Sequence, residues 1–312
     1  MGIYHIITGS SGFVGLNLSS FFIQLNQPVL LVTRTPKPSS INEISYNDLD
    51  VACLYKAKTF IHLAGKAHDL KKTSEDVEYF EVNTELTKKM FDQFLESTCE
   101  VFIYMSSVKA AADEVAGILT EEIKPNPVTV YGKSKLAAEQ YILSKEIPKN
   151  KRVYILRPCM IHGPNNKGNL NVLYSFVSKG IPYPFGKYLN RRSVVSVDNL
   201  CFIIKELIDN AKIESGIYNI ADDTSLSTID LVQLMDEVLS RRTRILKFPR
   251  WFVWFMAKVG DLLPIPINSE RLRKLTENYE VSNLKIKNAI QKNLPLSSKE
   301  GIIKTFNSLK MH

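Results

Sequence analysis

Two stretches carry side chains whose types and spacing suit proton transfer: Ser106-Ser107 and Tyr131-Gly132-Lys133-Ser134-Lys135. If Tyr131 opens a helix, Lys135 lies four residues on, one turn away on the same face. A phenol normally titrates near pH ~10. A neighbouring ammonium favours the phenolate and lowers that value. Tyr131 is therefore expected to act as general acid or base on a carbonyl or carbinol oxygen near neutral pH. Ser107 follows the apolar run Val101–Met105, which reads as a buried strand, and its hydroxyl would hydrogen-bond the same oxygen. A Tyr and a Lys four apart also occur on ordinary helix surfaces, so the elements that would position them decide the matter.

Those elements begin with the apolar strand at residues 3–7, then Thr8-Gly9-Ser10-Ser11-Gly12-Phe13-Val14-Gly15, then a helix to about Leu25. Strand, glycine turn and helix together form the setting of a dinucleotide site. Gly9 would permit the tight turn, Gly12 would let the backbone approach a pyrophosphate, and Gly15 would let the helix pack. Ser11, Phe13 and Val14 complete the cofactor-binding turn, and the helix N-terminus offers free N–H groups. The spacing is GxxGxxG rather than GxGxxG. A second strand, residues 28–32, runs into Thr33-Arg34. An NAD site usually has an acid at this strand end, whereas an NADP site uses Arg on the 2′-phosphate. Arg34 without an acid points to NADP(H), with NAD as the alternative. Asp48 and Leu49 are expected under the adenine, and Leu63-Ala64-Gly65 along the cofactor at the end of a further strand. His62, inside that strand, reads as a core histidine. A helix from about Val77 to Leu95 carries Asn83, and prolines 125 and 127 stop any helix before the one that carries Tyr131.

Strands alternating with helices predict an α/β fold: a Rossmann doubly wound parallel sheet with a smaller, interleaved C-terminal substrate domain. Residues 1–165 would form the NAD(P)-binding domain, with a contribution from 191–222, and residues 166–312 would mainly bind substrate. The chain has 312 residues, 45% hydrophobic and 23% charged, enough for a full core. The net charge of +8 comes from scattered basic residues, with no basic and aromatic cluster evident of the kind nucleic-acid binding requires. Cys53, Cys99, Cys159 and Cys201 lie far apart and read as reduced thiols rather than disulfides or metal ligands. The start lacks a charged-then-apolar leader, and no apolar run reaches the ~18 residues of a membrane span. A cytoplasmic location is expected. Near the C-terminus, Trp251-Phe252-Val253-Trp254-Phe255-Met256-Ala257 is the most apolar stretch. With no clean polar face, it reads as a buried helix or a substrate lid in preference to an interfacial membrane helix.

With the glycine turn, Ser107 and the Tyr131/Lys135 pair in order, the chain resembles an extended short-chain dehydrogenase/reductase, and within that group the NAD(P)-dependent epimerases and dehydratases of nucleotide sugars. Asn83, Arg157-Pro158, His162-Gly163-Pro164 and the segment Arg192–Asn199 also match. The resemblance implies Ser107, Tyr131 and Lys135 as the catalytic trio. It implies that Asn83 and Pro158 join the cofactor site, and that Val108, Asn169, Leu170 and Arg192 join Ser107 and Tyr131 around a UDP-sugar. A homodimer without metal is the implied assembly. The 4,6-dehydratases of this group follow the Ser with Asp-Glu, and the GDP-fucose type of epimerase-reductase follows it with Cys. Val108-Lys109 stands here instead, which leaves reduction of a 4-ketone or 4-epimerisation. The stretches His62–His68 and Ser106–Lys109 are similar to a branch that includes reductases of UDP-4-keto-6-deoxy-N-acetylhexosamines, which supply bacterial surface polysaccharides. The expectation is NADPH-dependent reduction at C4. The alternatives are a UDP-hexose or UDP-N-acetylhexosamine 4-epimerase that retains NAD and, further off, a non-catalytic nucleotide-binding module.

Overall fold

The computed structural model describes residues 4–37, 40, 42–66, 75–166, 169–262 and 268–310, so Ala67 and His68 lie outside the described residues. Five strands lead the chain: β1 (Tyr4–Thr8), β2 (Val29–Thr33), β3 (Glu43–Ser45), β4 (Ala57–His62) and β5 (Val101–Met105). A short β6 (Ile118–Leu119) precedes β7 (Arg152–Pro158), and β8 (Met160–His162), β9 (Val194–Ser196), β10 (Gly216–Ile220) and β11 (Glu280–Val281) follow. Seven of them form one parallel sheet in the order β3-β2-β1-β4-β5-β7-β10. The chain leaves the β3 edge and returns on the far side of β1, so strand order reverses between β1 and β4. In such sheets ligands bind at the carboxyl ends of the strands beside that reversal. The glycine turn, Leu63–Gly65, Ser106-Ser107 and Pro158 all stand at that edge.

Both faces of the sheet are covered, which explains the near-continuous apolar strands. Side chains alternate with period two. Ile7, Ile61, Ile103 and Leu156 pack on one face with α1 (Phe13–Gln24) and, later in the chain, the helix of residues 197–209. Ile6, Phe60, Phe102 and Ile155 pack on the other. That second face meets the helices after the one-turn α2 (Val51–Leu54): α3 (Asp76–Phe80), α4 (Leu86–Glu96) and α5 (Val130–Leu143). The helix predicted over 77–95 is one continuous run, α3 to α4, interrupted by a π-helical turn at Glu81–Glu85. His62 is fully buried, hydrogen-bonded through Nδ1 to Thr8 (2.7 Å) and through Nε2 to Thr87 (3.0 Å). Burial and the nearby Lys135 lower its pKa to about 3, so it is a neutral core residue, as expected. All four cysteines are free thiols.

The C-terminal part adds α6 (Asn169–Ser178), α7 (Val197–Asp209), α8 (Thr228–Leu239), α9 (Arg250–Leu262), α10 (Ser269–Thr276), α11 (Leu284–Ile290) and α12 (Ser298–Lys310). Residues from α6, α8, α9 and α12 enclose a second core around Leu173, Val232, Met235, Ala257 and Phe306. Ser227 and Asp230 form the capping box that starts α8. Strand β9 is shorter than its sequence suggests, because Ser196 caps α7 and turns Val197 and Asp198 into helix. The Trp251–Ala257 stretch is helical, but the expectation of a buried helix is corrected. Its inward face is Val253, Ala257 and Gly260, all buried, whereas Trp251, Trp254 and Phe255 are 71%, 59% and 55% exposed. The small residues sit at helical spacing, so they and not the aromatics take the core side. Among the described residues no helix is long and apolar enough to cross a membrane.

Candidate active site

Thr129 caps α5 by accepting from Gly132 N–H (3.2 Å), and Asp113 holds that cap by accepting from Val128 N–H and Thr129 N–H (2.6 and 2.9 Å). Tyr131 and Lys135 therefore occupy the first and second turns of α5. Across from them, Ser107 caps the short 3-10 turn Val108–Ala110 after β5. The two turns meet closely. A methyl on Gly132 would lie 2.4 Å from the Lys109 carbonyl oxygen and 2.8 Å from Pro127 Cβ. Backbone cannot yield as a flexible side chain does. Gly132→Ala should therefore push α5 off the Ser107 turn and lower kcat by roughly a hundredfold, the effect of about 1 Å of misplacement. Steady-state kinetics would check this, and an unchanged kcat would show that the contact does not set the geometry.

The Tyr131 phenol lies within reach of the Ser107 side chain. Its acidity is a correction. Burial raises its pKa above the usual phenol value, Ser107 opposes this, and nearby Tyr79 adds to the rise. Lys135 does not lower it here, because its ammonium donates to the Met105 carbonyl (2.8 Å) and sits over the Tyr104 ring. Burial lowers the Lys135 pKa to about 8 while Glu139 opposes the shift. Behind the pair, Asn83 is fully buried in the π turn. It accepts from Lys66 N–H (2.7 Å) and donates to Ser134 Oγ (3.0 Å), and Ser134 Oγ donates to the Tyr131 carbonyl (2.9 Å). Asn83 thus joins the Gly65-Lys66 strand end to α5, in a π turn of the kind often found at functional sites.

The dinucleotide turn fits the expected cofactor. Gly9 has φ +67°, and an added Cβ would lie 2.7 Å from Ala64 N, so it brings the β1 and β4 ends together. Gly15 packs against the turn rather than the sheet, where a Cβ would come 2.4 Å from the Gly9 oxygen. Gly12, the N-cap of α1, is exposed and brings no side-chain acceptor to the first-turn N–H groups, which are thus left for phosphate oxygens. Ser11 is exposed and Phe13 and Val14 are half-buried beside it. Arg34 is exposed at the end of β2, close enough to Tyr46 to influence its phenol. Tyr46, unforeseen, accepts from Gly9 N–H (3.0 Å). The Asp48 carboxylate is held by Ser45 Oγ (2.6 Å), and the Leu49 side chain is buried in the core, so little of it is open to an adenine.

Beyond Ser107 lies a cavity of about 170 Å3 lined by Val108, Lys109, Pro158, Cys159, Arg192 and Tyr279, among others. The cavity thus brings together Ser107, Val108 and Arg192, expected around the substrate, with Pro158, expected at the cofactor. Tyr279 and Lys109 were not foreseen. The Tyr279 hydroxyl donates to the Ala112 carbonyl (2.6 Å), with the Lys109 ammonium 4.2 Å over its ring. Lys109 and Arg192 line the same recess, and burial lowers the pKa of each. No local pattern marks Tyr279, because it reaches the site through an isolated pairing with Arg192. Leu170 does not join this cavity. Its side chain is buried in the second core, at the first turn of α6, and the Asn169 side chain lies outside the described part. No group of three or more metal-ligating side chains occurs among the described residues.

This arrangement has the parts of a hydride-transfer oxidoreductase: a nucleotide turn, a Ser–Tyr–Lys group at the strand ends, and a cationic recess beside it. Residues 5–221 match the NAD dependent epimerase/dehydratase family. The chain is 28% identical to UDP-glucose 4-epimerase of Vibrio cholerae, over 96% of this chain and 93% of that protein. It is 24% identical to GDP-6-deoxy-D-mannose reductase of Pseudomonas aeruginosa, over 78% and 82%. Its fold is similar to that of UDP-N-acetylglucosamine 4-epimerase from Bacillus cereus, with a TM-score of 0.78 at 17% identity over 99% and 100% of the two chains.

Proposed function

The chain belongs to the NAD dependent epimerase/dehydratase family of nucleotide-sugar enzymes, and within it we propose an NADPH-dependent reductase of the C4 ketone of a UDP-2-acetamido-2,6-dideoxy-4-ketohexose. The observation that carries this reading is the end of β2, where exposed Arg34 stands and residues 33–37 hold no carboxylate. An epimerase returns its cofactor unchanged and gains nothing from a 2′-phosphate site, whereas a reductase consumes NADPH. In this reading residues 1–165, with 191–222, hold the dinucleotide, and residues 166–312 hold mainly the sugar nucleotide.

A nicotinamide held at the ends of β1, β4 and β5 would supply a hydride to C4. Tyr131 gives its phenolic proton to the former ketone oxygen, which Ser107 polarises by hydrogen bonding. A phenol kept protonated by burial suits donation. Lys135 would hold the nicotinamide ribose of a bound cofactor, and its ammonium would stabilise the phenolate left behind. The recess of Lys109 and Arg192 suits a diphosphate. Val108 has neither the acid that dehydration needs nor a thiol for inversion beside the ketone.

The second reading, a UDP-hexose or UDP-N-acetylhexosamine 4-epimerase with retained NAD, is favoured by the similarity to the Vibrio cholerae enzyme along nearly the whole chain. One assay separates the two: NADPH absorbance after adding UDP-4-keto-6-deoxy-N-acetylglucosamine, with NADH in parallel. The reductase consumes NADPH stoichiometrically. In Arg34→Glu the preference for NADPH over NADH should fall by at least about tenfold, the scale of one charged hydrogen bond. No consumption of either nucleotide, with interconversion of UDP-N-acetylglucosamine and its galacto epimer, would favour the epimerase.

A further inference from the structure

We propose that α9 and the segment leading into it form a docking surface for a bilayer rich in anionic phospholipid. The inference is independent of the reaction assigned above. The expectation of scattered basic residues is corrected here: between Arg241 and Leu262 the chain carries six cations (Arg241, Arg242, Arg244, Lys247, Arg250, Lys258) against one carboxylate, Asp261, which pairs with Lys258 (3.7 Å). On the outer face of α9, Trp251, Trp254, Phe255 and Leu262 follow one another at helical spacing and are exposed, Leu262 by 87%. Phe248 and Leu246 extend this apolar strip before the helix. A surface helix normally turns its polar face outward. Here the bulky apolar face points out and Val253, Ala257 and Gly260 point in.

Just before the strip in sequence, Arg241, Arg242 and Arg244 line a cleft of about 360 Å3, into which an anionic headgroup fits. Aromatic side chains that enter an interface, flanked by Lys and Arg that meet phosphates, are the composition of a helix lying in the headgroup plane. A second copy of the chain is a poorer occupant. A twofold interface places the same patch against itself, so six cations would meet six cations, a costly arrangement.

The test is direct because the chain has two tryptophans, both on this face. The full chain is mixed with vesicles of phosphatidylcholine alone or with phosphatidylglycerol, at low and high salt. Co-sedimentation and tryptophan emission are then read. The expected result is pelleting and a blue shift with phosphatidylglycerol vesicles, both weakened by salt. Phe255→Ser with Leu262→Ser, which keeps both tryptophans, should reduce binding at least tenfold. So should Arg242→Glu with Lys247→Glu, since each cation near such a surface contributes roughly fivefold. All four positions are exposed, so unchanged thermal melts would show that folding is intact. Absent pelleting and shift, or equal binding to neutral vesicles, would overturn the proposal. So would a concentration-dependent dimer that dissociates in the Phe255→Ser, Leu262→Ser variant, because a second copy would then cover the face.

Discussion

Tyr131→Phe should lower turnover by about a hundred- to ten-thousand-fold, the range of a lost general acid, while NADPH binding stays near its wild-type strength. The phenol can give a proton at a point that Ser107 also reaches. Fluorescence titration of NADPH beside single-turnover reduction of the 4-keto sugar would separate the two effects. Near-normal turnover in the variant would remove Tyr131 from the role. The pH profile adds a second check. Tyr131 titrates above the ordinary phenol value, so its proton stays available through neutral pH. Lys135, lowered to about 8, loses its charge as pH rises through that value. The wild-type rate should therefore be level below about pH 7 and decline around 8, earlier than an ordinary lysine or phenol would allow. A rate level to pH 10 would mean that the Lys135 ammonium is not needed.

The reduced role of Lys135 toward Tyr131 marks where sequence reading stops. Spacing of four residues correctly put both side chains on one face of α5, because helix geometry fixes that relation. It could not show that the ammonium turns to the Met105 carbonyl or that burial dominates the phenol, since both depend on β5 packing behind the helix. The sheet was legible for a similar reason. Alternation of apolar strands and glycine-marked turns is local, and it suffices to predict a parallel sheet covered on both faces. Tyr279 and Tyr46 were not legible. Each reaches the site from an element distant in sequence, with no spacing to announce it. Leu49 and Leu170 show the reverse: motif positions that seem to face ligand but whose side chains fill cores. In α9 the lack of a clean polar face suggests burial, yet the aromatic side chains lie outward. The small residues at 253, 257 and 260 decide the inward face.

The buried pair Glu139–Arg157 makes the second large prediction, and it separates stability from positioning. Glu139, on α5 one turn beyond Lys135, and Arg157, on β7 beside Pro158, are 0% and 1% exposed. Arg157 Nε donates to Glu139 Oε1 (2.9 Å) and Nη2 to Oε2, and Ser106 Oγ donates to the same carboxylate. One carboxylate thus ties the helix of Tyr131 to the strand end next to Ser107. Glu139→Gln leaves the guanidinium without its countercharge in a dry core, and should cost about 3–5 kcal/mol of unfolding free energy. Glu139→Leu with Arg157→Met removes both charges, and most of that loss should return, since apolar replacements of buried pairs are often neutral or better. Turnover should not return with it. The Ser106 hydroxyl then has lost its acceptor and α5 its link to β7, so kcat of the double variant should stay well below wild type while its melting temperature recovers. Chemical denaturation and kinetics on the same preparations test both halves. A Glu139→Gln cost under 1 kcal/mol would mean that water reaches the pair, and a double variant restored in both stability and kcat would mean that the pair holds the fold without aligning the site.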